Sequence, residues 1–208
     1  MTTRSGDLPD PGDRGVERYS QRPLPRYRYV PGVQPHPVRD PAGHSYSPTP
    51  ERNRHPSWSV DEWRTSEDWL YGVDLFNRFY FWEAHEAWEG LWAAAPRDTP
   101  SALLLQGLIQ IAAALLKTHM LVPAGARTLS TEGIEKVRRV AVLQPQMLGL
   151  DLQDVVRRFE VFFAPLQDGE LPVIDHAVPT LRLQLAERAH GWPGQLPEQS
   201  PKSTARKF

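Results

Sequence analysis

The chain has no cysteine. That excludes a disulfide framework, a thiolate metal site and a thiol nucleophile, so any bound metal has to be held by histidine and carboxylate. It also lacks a charge excess. With Lys+Arg 24 against Asp+Glu 25 the formal net charge is -1, and no overall field draws the protein to nucleic acid, an anionic membrane or acidic substrates. No apolar run follows the N-terminal arginine, which argues against a secretory signal. The most apolar stretch, Ala102–Leu116, is too short to span a bilayer and carries Gln106 and Gln110. A cytoplasmic protein with no membrane contact is therefore expected. Nucleic acid is not an expected partner either: residues 1–50 hold seven Arg and no Lys against four Asp and one Glu, a balance of only +2.

Proline is present but unevenly spread. Ten of the 21 prolines lie in residues 1–50, and only Pro96 and Pro100 fall between 57 and 122. Proline fixes φ, removes a donor and biases its predecessor away from helix, so the first segment is predicted to be extended or irregular. Residues 1–24 read as a disordered leader. Residues 25–57 read as an arm rich in proline and tyrosine that packs on the domain, with Tyr27, Tyr29 and Tyr46 as anchors. Its His36, Asp40 and His44 are potential metal donors, but the prolines between them deny a helical register that would align them. Residues 58–168 form the domain, 169–192 a segment wrapping its surface, and 193–208 a disordered tail. At 40% hydrophobic, the chain can build one domain of roughly 100–150 residues.

Helix signals in the domain are strong. Ser59 and Glu62 form a capping-box pattern, with Trp58 and Trp63 at the staple positions, predicting a first helix to about Asn77. A second covers about 81–94 and ends at Pro96. Thr99 as N-cap with Pro100 at the first helical position opens a third, which runs to about 121 before Pro123. A fourth spans about 124–143. Pro145 and Gly149 turn the chain, and Asp151 caps a fifth helix that carries Val155, Phe159, Phe162 and Phe163 at helical spacing and stops at Pro165. The expected fold is all-α: an antiparallel bundle of about five helices with an extended proline-rich N-terminal arm, and no convincing sheet.

The chemistry concentrates in Phe81-Trp82-Glu83-Ala84-His85-Glu86-Ala87-Trp88-Glu89-Gly90-Leu91-Trp92, where ionisable groups sit among aromatics that demand burial. A buried charge persists only when paired, hydrogen-bonded or metal-bound. At about 100° per residue, Phe81, Ala84, Trp88, Leu91 and Trp92 share one face, with His85 and Glu89 on its border. Glu83 points away from that face, toward solvent. Glu86 lies between the border and solvent.

On the third helix, Gln106, Gln110 and Lys117 form a polar stripe beside Gly107, Ala113 and Ala114, which permit a close neighbour. In an antiparallel hairpin, facing positions sum to about 195, setting His85 opposite Gln110 and Glu89 opposite Gln106. Three readings of this polar cluster stand. It is a satisfied buried network that fixes helix pairing, a metal site with His85 and Glu89 as ligands completed by Glu86 or the arm histidines, or an acid–base pocket with His85 tuned by Glu89.

Taken together, Phe81-Trp82-Glu83-Ala84-His85-Glu86, then Glu89 and Trp92, followed by Gln106-Gly107-Leu108-Ile109-Gln110, Ala112-Ala113 and Met147-Leu148-Gly149-Leu150-Asp151, resemble the domain-of-unknown-function 309 family over about 70–165. The resemblance implies a small all-helical protein, and the family's label of predicted metal-dependent hydrolase implies a divalent metal with His85, Glu86 and Glu89 as catalytic residues. Two positions depart from the family pattern. Phe79 stands where a glycine is frequent in the turn before the first motif, implying a different turn geometry, and Leu116 and Lys117 stand where many members place a histidine. The reading adopted is a structural or interaction module, open to an unknown protein partner or self-association. The alternative is a metal-dependent hydrolase using His85, Glu86 and Glu89.

Overall fold

A computed structural model describes residues 8–10, 12, 14–49 and 58–185. The expected tail at 193–208 and the junction at 50–57 lie outside the described residues. Capping residues set most of the helix starts. Ser59 accepts from the Asp61 N–H and opens a short 3-10 helix, Val60–Thr65. Ser66 then caps a new helix, α1, Glu67–Asn77, by accepting from the Trp69 N–H, with Glu67 and Asp68 in its first turn. The single helix expected from Ser59 to Asn77 is thus broken at Ser66, because a second cap with acidic residues behind it competes with continuation.

The second helix, α2, spans Phe81–Ala94. The third, α3, spans Pro100–His119 behind the Thr99 cap, and α4 spans Pro123–Leu143. A two-residue antiparallel ladder, β1 Gln146–Met147 with β2 Leu150–Asp151, reverses the chain. Asp151 then accepts from the Asp154 N–H to cap α5, Leu152–Phe163. A final 3-10 turn covers Ala164–Asp168. Each α-helix packs on the next, giving the expected helical bundle.

The small ladder was not expected. Leu148 and Gly149 both take positive φ, 51° and 78°, the pair of left-handed residues that a tight hairpin requires. Helix α3 is also longer than its apolar stretch. Over 20 residues, with a mean hydropathy of 1.5 in its most apolar window, it is long and apolar enough to cross a membrane, so length does not exclude a span. In the bundle, 67% of that window is buried. Its closest approach is to α4, where a Cβ on Gly107 would stand 2.9 Å from the Gly133 carbonyl oxygen and one on Gly133 2.8 Å from that of Gly107. Two facing glycines let the backbones meet.

Aromatics fill the centre. Phe76 lies 5.7 Å from Trp88, 5.8 Å from Phe81 and 5.9 Å from Phe159, ring centre to ring centre. Trp88 seats on Gly72, where a Cβ would fall 2.1 Å from the indole nitrogen. Phe79 has φ +65°. The turn before α2 therefore keeps the left-handed backbone that glycine adopts most easily, and the phenylalanine is held there by complete burial, with Arg14 4.3 Å above its ring.

Residues 14–24 differ from the disordered leader expected of them. Asp74, fully buried on α1, accepts hydrogen bonds from the Tyr19 N–H (2.9 Å), the Ser20 N–H (2.8 Å) and the Ser20 hydroxyl (2.6 Å). Arg18 and Arg78 stand 3.6 and 3.5 Å from the same carboxylate. A carboxylate taken out of water has to recruit such donors, and the N-terminal segment supplies them. One turn on, Asn77 donates to the Leu181 carbonyl at 2.8 Å and accepts from the Leu181 N–H at 2.7 Å. Residues 180–185 have no regular secondary structure.

Candidate functional site

Helix α2 presents three different surroundings within one short run. Trp88 faces the aromatic core with no exposure. Glu83, expected to point to solvent, is only 5% exposed. Helical phase does carry it away from the bundle core, but the arm covers that side: Glu83 Oε1 accepts from the Tyr29 N–H and contacts His44 Nε2, each at 2.9 Å. Its other oxygen, Oε2, is buried without a hydrogen-bond partner. His44 Nδ1 meets the Ser45 hydroxyl at 2.8 Å, and its ring lies 4.6 Å from Tyr27.

The two flanking tyrosines, Tyr71 and Tyr80, donate to the Pro23 and Pro25 carbonyls. Burial pushes both phenols above the usual tyrosine range. Arg22 draws Tyr71 back and Arg28 draws Tyr80 back, while the Glu83 charge adds to the rise in each.

The third surface of α2 is open. The donor atoms of His85, Glu86 and Glu89 all lie within 4.8 Å of one another. His85 Nδ1 is 3.4 Å from Glu86 Oε1, yet the nitrogen is buried and makes no hydrogen bond. The side chains of His85 and Glu86 are 29% and 42% exposed, and Glu89 is exposed. Glu86, the weaker candidate by helical phase, is thus brought to the histidine nitrogen.

The four-residue polar cluster is not assembled as expected. Among the described residues no hydrogen bond joins His85 to Gln110 or Glu89 to Gln106. Gln110 instead donates at 2.7 Å to Glu132 on α4, because the glycine approach of α3 and α4 brings the Gln110 Cβ within 3.1 Å of where a Gly133 Cβ would stand. The Gln110 carbonyl oxygen is buried and unpartnered. Gln106 faces a cavity beside Trp92.

The arm's donors do not gather into one centre. His36 Nδ1 accepts from the Val38 and Arg39 N–H groups, with its ring 5.5 Å from Trp82. Asp40 accepts from the Ala42 N–H to close a turn, and among the described residues of this trio only His44 hydrogen-bonds to an α2 side chain.

The residues that the sequence reading missed are Asp74, Asn77 and Glu83. For the first two the available signal was a polar residue at positions flanked by Val73, Leu75 and Phe76, where burial is continuous from Trp69 to Asn77. Imidazole and carboxylates together suit a borderline divalent ion, and a buried ring nitrogen that makes no hydrogen bond and lies 3.4 Å from a Glu86 oxygen fits such a group. His85, Glu86 and Glu89 would hold it.

No curated protein matches the chain. The matched region begins within α1 and ends within α4, short of the 70–165 span expected from the motifs, so Met147–Asp151 falls beyond it. Asp74, Glu83, the His85/Glu86/Glu89 group and Gln110 all lie in residues 69–129, which match the family model described as Domain of unknown function (DUF309).

Proposed function

We propose that this chain is a divalent-metal-binding helical module acting as a metal-dependent hydrolase, with His85, Glu86 and Glu89 as its centre. The observation that carries the reading is His85, whose Nδ1 is buried without a hydrogen bond and which offers a ring nitrogen within 4.8 Å of an oxygen from each of Glu86 and Glu89. A buried polar atom left unpaired costs about 1–3 kcal/mol, so its retention beside two anions argues for a cationic occupant. A bound ion with three protein ligands keeps positions for water and lowers that water's pKa toward neutrality. On this reading His85 supplies the neutral nitrogen donor. Glu89, one turn along, supplies a carboxylate on the same stripe. Glu86, whose Oε1 lies 3.4 Å from His85 Nδ1, would complete the three-ligand set.

A structural or interaction module is the second reading, favoured by one observation: Glu86 and Glu89 are exposed on α2, and none of the three residues lines the cavities beside Trp92, Ser130 or Ala141. The two are separated by calorimetric titration of the metal-stripped protein with Zn2+ and Mn2+, alongside the His85→Ala variant, and by turnover of 4-nitrophenyl phosphate and 4-nitrophenyl acetate. Near-stoichiometric binding that weakens at least about 100-fold in His85→Ala, with metal-dependent turnover, supports the hydrolase. Equal, sub-stoichiometric metal in both proteins leaves the interaction module.

A further inference from the structure

Where α2, α3 and α4 come together beyond Trp92, the bundle leaves a cavity of about 560 Å3 that includes none of the three candidate metal ligands. Its size falls in the range of small-molecule sites, roughly 300–1,000 Å3. Trp92, Leu103 and Leu143 supply apolar wall, and Arg97, Gln106 and Arg139 reach it from the α2–α3 connection, α3 and α4.

The state of those polar groups is what points to a ligand. Arg138, one residue before Arg139, is engaged by Glu135 and Glu160, and Arg157 and Arg158 both hold Asp154. Among the described residues neither Arg97 nor Arg139 has a carboxylate partner, and Gln106 has no hydrogen-bond partner. Arg97 makes only a cation–π contact, 5.8 Å above the Trp92 ring. The one carboxylate in the lining, Asp98, pairs with neither arginine and sits in a tight turn at φ +63°. The cavity therefore combines two unneutralised guanidinium groups and a free amide with a flat apolar wall, on a protein with no net positive charge to account for them. Guanidinium groups recognise carboxylate and phosphate by paired hydrogen bonds, while tryptophan and leucine offer area to a ring.

We infer that this cavity binds a small organic anion: an aromatic or similarly flat apolar body carrying a carboxylate or a phosphate, its charge held by Arg97 and Arg139, its polar edge by Gln106 and its body against Trp92 and Leu143. The site is separate from the candidate metal centre, although Trp92 lies one turn beyond Glu89 on the same stripe of α2. It does not require that centre to bind metal.

The test is calorimetric titration of the full chain with phenyl phosphate and with 3-phenylpropionate, and with inorganic phosphate and 2-phenylethanol as the two halves of the ligand. At least one of the aromatic anions binds more tightly than both halves, and Arg139→Gln weakens it at least about tenfold. Arg97→Gln weakens it in the same direction, and Leu143→Asp abolishes it by adding an anion to the wall. The arginines and Leu143 are exposed, so all three variants are expected to keep the parent's thermal transition, and His85→Ala is expected to bind the anion as the parent does. Whichever anion binds tells carboxylate from phosphate. Binding of neither anion overturns the inference. So does binding no tighter than 2-phenylethanol or inorganic phosphate alone, or binding that survives both arginine substitutions.

Discussion

Replacing Asp74 with asparagine keeps the shape of the side chain and removes its charge. In the parent, Asp74 is fully buried and takes three hydrogen bonds of 2.9, 2.8 and 2.6 Å from Tyr19 and Ser20, with guanidinium nitrogens of Arg18 and Arg78 3.6 and 3.5 Å away. Hydrogen bonds to a charged group contribute about 1.5–3 kcal/mol each, but members of one network are not additive. The asparagine amide would place an NH2 donor against N–H donors already there, and Arg78 would lose its counter-charge. Breaking a buried ionic network by removing one partner costs about 3–5 kcal/mol. Arg18 and Arg78 are 35% and 19% exposed, so water screens part of their share, and about 3 kcal/mol is the expected loss. For a domain of this size that is a fall of about 6–12 °C in Tm. Urea unfolding gives the free energy, and limited trypsin digestion gives the location, since cleavage after Arg14 and Arg18 should become fast when the segment lifts from α1. A Tm within about 1 °C of the parent, together with an unchanged tryptic pattern, would show that Asp74 does not hold the N-terminal segment.

Glu83→Ala removes the acceptor shared by the Tyr29 N–H and His44 Nε2; it should cost about 2–4 kcal/mol and raise amide exchange across residues 27–46, and exchange at the parent's rate would contradict the docking. In Phe79→Gly, relief of left-handed strain at φ +65°, about 1–2 kcal/mol, opposes the loss of a fully buried ring, about 3–5 kcal/mol; the variant should be about 2–3 kcal/mol less stable by urea unfolding, and a gain in stability would mean that strain outweighs packing. Burial raises the phenol pKa values of Tyr29, Tyr71 and Tyr80, and Arg39, Arg22 and Arg28 respectively draw them part of the way back. Because these folded-state values exceed the unfolded value of about 10, their contribution to stability is complete below pH 10 and is lost as pH rises through the folded values. Tyrosinate absorbance at 295 nm should therefore show a late-ionising component that is lost in the Tyr29→Phe, Tyr71→Phe and Tyr80→Phe variants, with stability falling in the same window; the absence of any late component would refute the burial argument.

The helices were legible where a residue has one local role. Thr99 with Pro100 opens α3, Pro96 closes the preceding turn and Asp151 caps α5, all because a cap or a proline acts within its own turn. Ser66 was legible in principle, being followed by Glu67 and Asp68, but the capping box at Ser59 drew the helix start seven residues too early. The hairpin carried no such mark, since Leu148-Gly149 lacks the Asn-Gly pair that announces a left-handed turn. For the candidate site, helical phase found His85 and Glu89 and misplaced Glu83. It also paired Gln110 with α2 where the structure pairs it with Glu132 on α4. Phase gives the direction of a side chain from its own helix, not the identity of what covers that direction.

That distinction explains why Asp74, Asn77 and Glu83 escaped notice and what they do together. Each projects from a helix toward a side that the five-helix pattern leaves uncovered, and each binds main-chain groups of a segment without regular structure: residues 19–20, Leu181 and Tyr29. Irregular chain has unpaired N–H and C=O groups that need partners before they can be buried. A carboxylate accepts several N–H groups at once, and an asparagine satisfies both a donor and an acceptor of one residue. Burying an acid in α1 and another in α2 thus turns proline-interrupted, non-helical segments into a cover for the bundle. Among the described residues, the cover reaches Glu83 on one side of α2 and stops short of Glu86 and Glu89 on the next. Within residues 81–89, then, the first acid fixes the arm, while Glu86 and Glu89 stay exposed with His85 half-buried beside them.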